Sequence, residues 1–197
     1  MQRIYLWANT RSLGTVFLRW LSNVENAQII NGIFTSCFFF GADYGCSSYF
    51  NNYLMKNPTE FHTSDYPFVY DGTVVSYNWA KSQLECDYPG KRYLICKDLP
   101  YALCGNHGLI PRGFRHTFII RHPYKVFPSW KKTYGKHFLT SDLREIVDNH
   151  YCKQYNYKEQ YDILKYLLDH PDMCDSEPVI IDADDLLRKP GSILSQY

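Results

Sequence analysis

RIYLWANTRSLGTVFLRWL, residues 3–21, opens on an apolar run, breaks at a short polar turn and continues as a helix. The run at residues 4–8 has no polar alternation, which is the pattern of a parallel strand buried on both faces. Arg11 stands in the turn, and Gly14 and Thr15 stand where the next helix exposes unpaired backbone N–H groups. HTFIIRHPYKVFPSW, residues 116–130, repeats the arrangement: a strand delivers Arg121, Pro123 opens a helix, and Ser129 lies on it. In both, a cation sits beside the positive end of a helix, the geometry that suits a phosphate or sulfate. Two such sites on one sheet predict a ligand with two separated anionic groups.

Further strands are expected at residues 93–97 and 179–182, with a weaker one at 27–31. Helices are expected at 14–22, 76–85, 123–134 and 157–169; the last carries Tyr161, Leu164, Tyr166, Leu167 and Leu168 near helical spacing. Asp184 or Asp185 suits the cap of a short turn, and Pro190 suits the start of a helix that stops at Tyr197. Strands alternating with helices imply the α/β class, a parallel sheet flanked by helices and joined by right-handed crossovers. Ligands on such sheets bind beyond the carboxyl ends of the strands, where Arg11, Lys97, Arg121 and Asp182 all fall.

At 197 residues the chain suits a single domain, 1–197, and its unfinished last helix implies a C-terminally short form. A formal net charge of +1 argues against a nucleic-acid track or a polybasic membrane surface. Apolar stretches fall far short of the roughly 20 residues of a membrane span, and the chain starts directly on a strand. The expected compartment is therefore the cytoplasm, and the expected partner is a small molecule, with no nucleic acid and no membrane. The cysteine count, 7, is odd, and no CxxC pair occurs, so buried reduced thiols are expected in preference to disulfides or a metal site. Residues 41–72, rich in Tyr and Phe, read as a long connection packed by its rings or as an aromatic acceptor pocket.

The turn NTRSLGTVF lacks the first glycine and the lysine of a GxxxxGK[ST] loop, so a magnesium-dependent nucleotide kinase is disfavoured. Arg11 instead offers a planar fork, with hydroxyls on Ser12 and Thr15. GxSxG is absent, which leaves no basis for a Ser-His-Asp triad. Asp182, Asp184 and Asp185 suit turns and caps better than a metal.

With these motifs in order, the chain resembles the sulfotransferase superfamily, whose donor is 3′-phosphoadenosine-5′-phosphosulfate. TRSLGTVF, residues 10–17, is similar to that family's 5′-phosphosulfate loop, PRSxSTxF, and keeps Arg11, Ser12, Thr15 and Phe17. Arg121 and Ser129 in RHPYKVFPS stand at the spacing of its 3′-phosphate pair. YLICKDLPYAL aligns Lys97 with the lysine near the transferred sulfuryl group, and the likeness continues through VIIDADDLLRKPGSIL.

The resemblance implies a P-loop nucleotide-hydrolase-like three-layer sandwich and sulfuryl transfer to a hydroxyl or amine, with no metal. Arg11, Ser12, Leu13, Gly14, Thr15, Arg121 and Ser129 would bind the donor, and Lys97 would follow charge onto the leaving phosphate. Asp98 is the candidate base, with a capping role before Pro100 as its alternative and His122 and His107 as other bases. Departures from the family are Thr10 for proline, Gly14 for serine, and Gly32 where relatives carry glutamate. The cytosolic branch has its base histidine soon after the lysine, where Asp98 and Leu99 follow here. Retained cations favour an enzyme; the departures favour a donor-binding relative without turnover.

Overall fold

In a computed structural model of the chain, residues 1–41, 76–134 and 157–195 are described. Most of the aromatic connection, along with Cys46 and Cys152, lies outside the described residues.

Strands β1 (Gln2–Ala8), β2 (Ala27–Asn31), β3 (Tyr93–Asp98), β4 (Arg115–Ile120) and β5 (Val179–Asp182) form one sheet in the order β2-β3-β1-β4-β5. Every pairing is parallel, with Leu6 of β1 opposite both Lys97 and Thr117. The helices are α1 (Gly14–Leu21), α2 (Ile33–Phe40), α3 (Tyr77–Glu85), α4 (Pro123–Tyr134), α5 (Tyr157–Asp169), α6 (Ala183–Arg188) and α7 (Pro190–Leu194).

Side chains of a strand alternate between faces, so β1 feeds two cores at once. Tyr5 and Trp7 pack with Phe34 and Cys37 of α2, Ala80 and Leu84 of α3, and Ile163 and Leu167 of α5. Ile4, Leu6 and Ala8 pack with Phe17, Leu18 and Leu21 of α1 and Leu186 of α6. That two-sided burial is why RIYLWA shows no polar alternation. In the first core, Trp7 Nε1 donates to His116 Nδ1 at 3.1 Å, and both rings are wholly buried. Burial pushes the His116 imidazole down to about 3, so it is neutral at physiological pH.

Several expectations need correction. IFTSCFFF, which gave no helical signal, forms α2, a helix apolar on almost every side. The cap of α6 is Asp182, whose side chain accepts from the Asp184 N–H; Asp184 and Asp185 lie inside the first turn. On α5, Tyr161 and Leu168 are exposed, and the buried face is Glu159, Gln160, Ile163 and Leu167. Cys37 and Cys96 are buried, but Cys86 is exposed. No helix among the described residues is long and apolar enough to cross a membrane.

Candidate anion-binding site

The crossover leaving β1 runs to β2 on one side of the sheet, and the one leaving β4 runs to β5 on the other. Strand order therefore reverses between β1 and β4, and the crevice at their carboxyl ends is where an open α/β sheet receives a ligand.

The loop after β1 is tightly wound. Arg11 and Leu13 both adopt left-handed backbone conformations, with φ of 65° and 71°. Two such non-glycine residues in one turn cost about 1–3 kcal/mol each, and strain of this kind concentrates at ligand clamps. It is held by Asn9, whose carbonyl accepts from Ser12 N–H at 3.2 Å and from Ser12 Oγ at 2.6 Å. Ser12 is buried and turned into the loop, whereas Thr15 is exposed. The first helical bond of α1 runs from Phe17 N–H to Leu13 O, so Gly14, Thr15 and Val16 present N–H groups without intrahelical acceptors. Gly14 has its own reason. A Cβ there would lie 2.3 Å from Ala8 Cβ, so α1 approaches β1 more closely than any larger residue allows.

Arg121 follows the last residue of β4. Its Nη1 donates to Arg11 O at 2.9 Å, while Arg11 Nε donates to Ser129 Oγ on α4 at 3.0 Å. The two motifs, far apart in sequence, are thus interlocked at the switch point. Among the described residues Arg121 Nε is buried with no acceptor, a donor that an incoming oxyanion would satisfy. Beside the pair, Lys125 on the first turn of α4 donates to Asp184 at 2.7 Å. Lys125 holds the Asp184 carboxyl below its usual range, with smaller help from Arg121 and Arg188.

Lys97 and Asp98 point to opposite faces of the sheet. The Lys97 stem crosses toward α1, with Cε 3.4 Å from the position of a Gly14 Cβ. Burial pushes its ammonium down, and neighbouring Asp98 partly offsets the shift. Asp98 is wholly buried on the α2 side. Its carboxylate accepts from Phe34 N–H (2.8 Å), Thr35 N–H (3.0 Å), Leu99 N–H (3.1 Å), Tyr5 OH (3.4 Å) and Thr35 Oγ1. Burial raises its pKa, opposed by the Thr35 hydroxyl, Lys97 and the backbone donors. Geometrically, Asp98 caps the start of α2 from β3, whereas the turn at Pro100 takes no side-chain cap from it.

That cap also bears on Gly32. Gly32 opens α2 at φ 73° and donates its N–H to Lys97 O at 2.8 Å. A side chain at this left-handed position is strained whatever space surrounds it. Glutamate in its place would carry about 1–2 kcal/mol of left-handed backbone strain.

Neither histidine candidate is well set as a base. His107 lies against the Tyr166 ring at a tilt, nine residues along α5 from Tyr157 at the crevice, or about 13 Å down the helix. His122 sits beside Arg121, but its Nδ1 accepts from Tyr124 N–H at 3.3 Å, which places the neutral ring's proton on Nε2.

Sequence reading missed Asn9, Tyr157 and Gln160. Gln160 Nε2 donates to Trp7 O and Ile119 O, both at 3.0 Å, and its Oε1 accepts from Asn9 Nδ2 at 2.8 Å. Tyr157 OH donates to Arg121 O at 2.9 Å. The available signal was Gln160 itself, a polar residue in helical step with Ile163 and Leu167.

Across its whole length the chain superposes on 79% of the sulfotransferase from Alicyclobacillus acidocaldarius, with a TM-score of 0.53 and 14% identity. The chain has the sulfotransferase fold. The sulfotransferase domain of the Synechococcus PCC 7002 olefin synthase is also similar, with a TM-score of 0.49 and 13% identity over 99% of this chain and 71% of that one. No family model and no curated protein matches the sequence. At such identities the likeness is one of fold, and the chemistry must be argued from the site.

Proposed function

We propose that the protein binds 3′-phosphoadenosine-5′-phosphosulfate and transfers its sulfuryl group to a hydroxyl or amine of a small acceptor. The observation that carries this reading is the interlock of Arg11, Arg121 and Ser129 at the switch point, with Lys97 on the adjacent strand end. A ligand with anionic groups at both ends suits such a pair of cations, and the orphaned Arg121 Nε suits a phosphate oxygen. Ser129 and Arg121 would hold the 3′-phosphate. The unpaired N–H groups of Gly14, Thr15 and Val16, with the Thr15 hydroxyl, would hold the 5′-phosphosulfate. Ser12 would act by shaping the loop.

In the transfer step the acceptor heteroatom attacks sulfur in line, and the bond from sulfur to the 5′-phosphate oxygen breaks. The electron pair leaves on that oxygen, where the Lys97 ammonium would stabilise it, and the acceptor's proton passes to a base. Positioning and charge stabilisation dominate such reactions, as in phosphoryl transfer.

A second reading, donor binding without turnover, draws on Asp98. Its carboxylate is occupied by α2 and faces away from Lys97, so the nearest acidic residue is poorly placed to take a proton. Titration calorimetry with 3′-phosphoadenosine-5′-phosphate, with and without magnesium, tests binding. Transfer of labelled sulfate to a panel of hydroxyl and amine acceptors tests turnover. Magnesium-independent binding with transfer supports the enzyme, binding alone supports the second reading, and absence of binding overturns both.

A further inference from the structure

We infer that the first turn of α5 is a clamp that fixes the spacing between the two anion-binding halves, with Gln160 and Tyr157 as positioning residues. The inference rests on the proposed bisphosphate ligand and deepens it: the clamp makes the site select for two anionic groups at one separation.

Gln160 is 4% exposed, and its one amide touches three segments. Its two N–H groups go to carbonyls on different strands, Trp7 of β1 and Ile119 of β4, at the point where those strands part. A carbonyl cannot donate, so the amide orientation is fixed and its oxygen must face Asn9 Nδ2. Asn9 in turn carries the carbonyl that both donors of Ser12 close upon. One amide therefore ties β1, β4 and the strained anion loop together.

Three residues earlier, about 4.5 Å along the helix, Tyr157 binds the carbonyl of Arg121, outside the β4 ladder. The same helical turn thus grips the backbone of the loop half and of the Arg121 half. It does so from the face opposite α1, which carries the helix N-terminus of the loop. None of these four bonds touches a side chain assigned to the ligand. Their effect is on distance alone, the preorganisation that favours a ligand bound at two points over one bound at a single point.

The test compares Gln160→Met, which keeps length and removes the amide, with Tyr157→Phe, which removes one hydroxyl. Calorimetric affinities are measured for 3′-phosphoadenosine-5′-phosphate, adenosine 5′-phosphate and adenosine 3′-phosphate, alongside thermal unfolding of each variant. Affinity for the bisphosphate should fall about tenfold in Gln160→Met and about threefold in Tyr157→Phe, the scale of losing several neutral hydrogen bonds or a single one. Affinity for either monophosphate should change by less than about twofold. Equal losses for all three ligands, or none, would overturn the clamp, because a general structural role moves every affinity together. If Gln160→Met fails to fold, Tyr157→Phe decides on the same ratio. Wild-type protein that binds none of the ligands would overturn the functional reading itself, a result distinct from an unchanged ratio.

Discussion

Arg11 crosses the crevice to meet Ser129: Nε of a loop residue after β1 donates to a hydroxyl on α4, 118 residues later, at 3.0 Å. The residues assigned to opposite ends of a nucleotide are in direct contact before any ligand binds. Ser129→Ala should then act on both ends. Residues in contact couple by about 0.5–3 kcal/mol, so Arg11→Ala and Ser129→Ala should be non-additive in bisphosphate binding. A double-mutant cycle by calorimetry measures this, and strict additivity would show that the contact is lost when ligand enters.

Lys97 and Asp98, adjacent in sequence, should fail in different ways. Lys97→Ala removes a charge on the α1 side and should cut turnover by about 10²-fold, the usual cost of losing a transition-state charge stabiliser. Product affinity should hold. Asp98→Ala leaves the buried N–H groups of Phe34 and Thr35 without their acceptor and should cost about 2–4 kcal/mol of stability. Denaturant titration beside a transfer assay separates the two. An unchanged midpoint in Asp98→Ala together with lost transfer would return Asp98 to the role of base.

Gly14→Ser, which would copy the family's more usual residue, should destabilise the protein. The added Cβ would meet Ala8 Cβ at 2.3 Å, and overpacking of this kind costs about 1–3 kcal/mol. Combining it with Ala8→Gly should recover part of the loss by relieving the contact. A lone Gly14→Ser variant with an unchanged denaturation midpoint would contradict the close approach.

Stability should depend on pH through His116. The folded ring takes up a proton only near pH 3, whereas an unfolded histidine does so near 6.5. Below about 6.5 the unfolded chain binds more protons, so stability is full above that pH and declines as pH falls toward 3. The slope contributed is about 1.4 kcal/mol per pH unit. His116→Gln, which can still accept from Trp7, should flatten the curve between about pH 6.5 and 4.5, before carboxylates titrate. An unchanged slope in that variant would place the dependence elsewhere.

Much of this architecture could be read from local pattern. Residues 3–21 and 116–130 each carry strand, cation and helix start within a few positions, so their local order and the sheet class follow from short-range signals. Their interlock does not. Arg121 grips the backbone of Arg11, 110 residues away, and no residue type announces a bond to a carbonyl. IFTSCFFF was missed because a helix apolar on almost every side has no polar face to set a period. Asp98 could be read as a cap or a base because both uses begin with a carboxylate at a strand end; only the position of α2, 64 residues earlier, separates them. Gly14 read as a missing hydroxyl, and its steric purpose needed the partner atom on Ala8.

The strand order has a consequence for biosynthesis. β1 emerges from the ribosome before the other strands of the sheet, yet its two neighbours are Tyr93–Asp98 and Arg115–Ile120. At roughly 5–20 residues per second, its apolar segment waits on the order of 5–20 seconds for any strand to pair with. Nascent chains of this protein should accordingly engage chaperones early and through residues 4–8, and they should release only once β4 has been made.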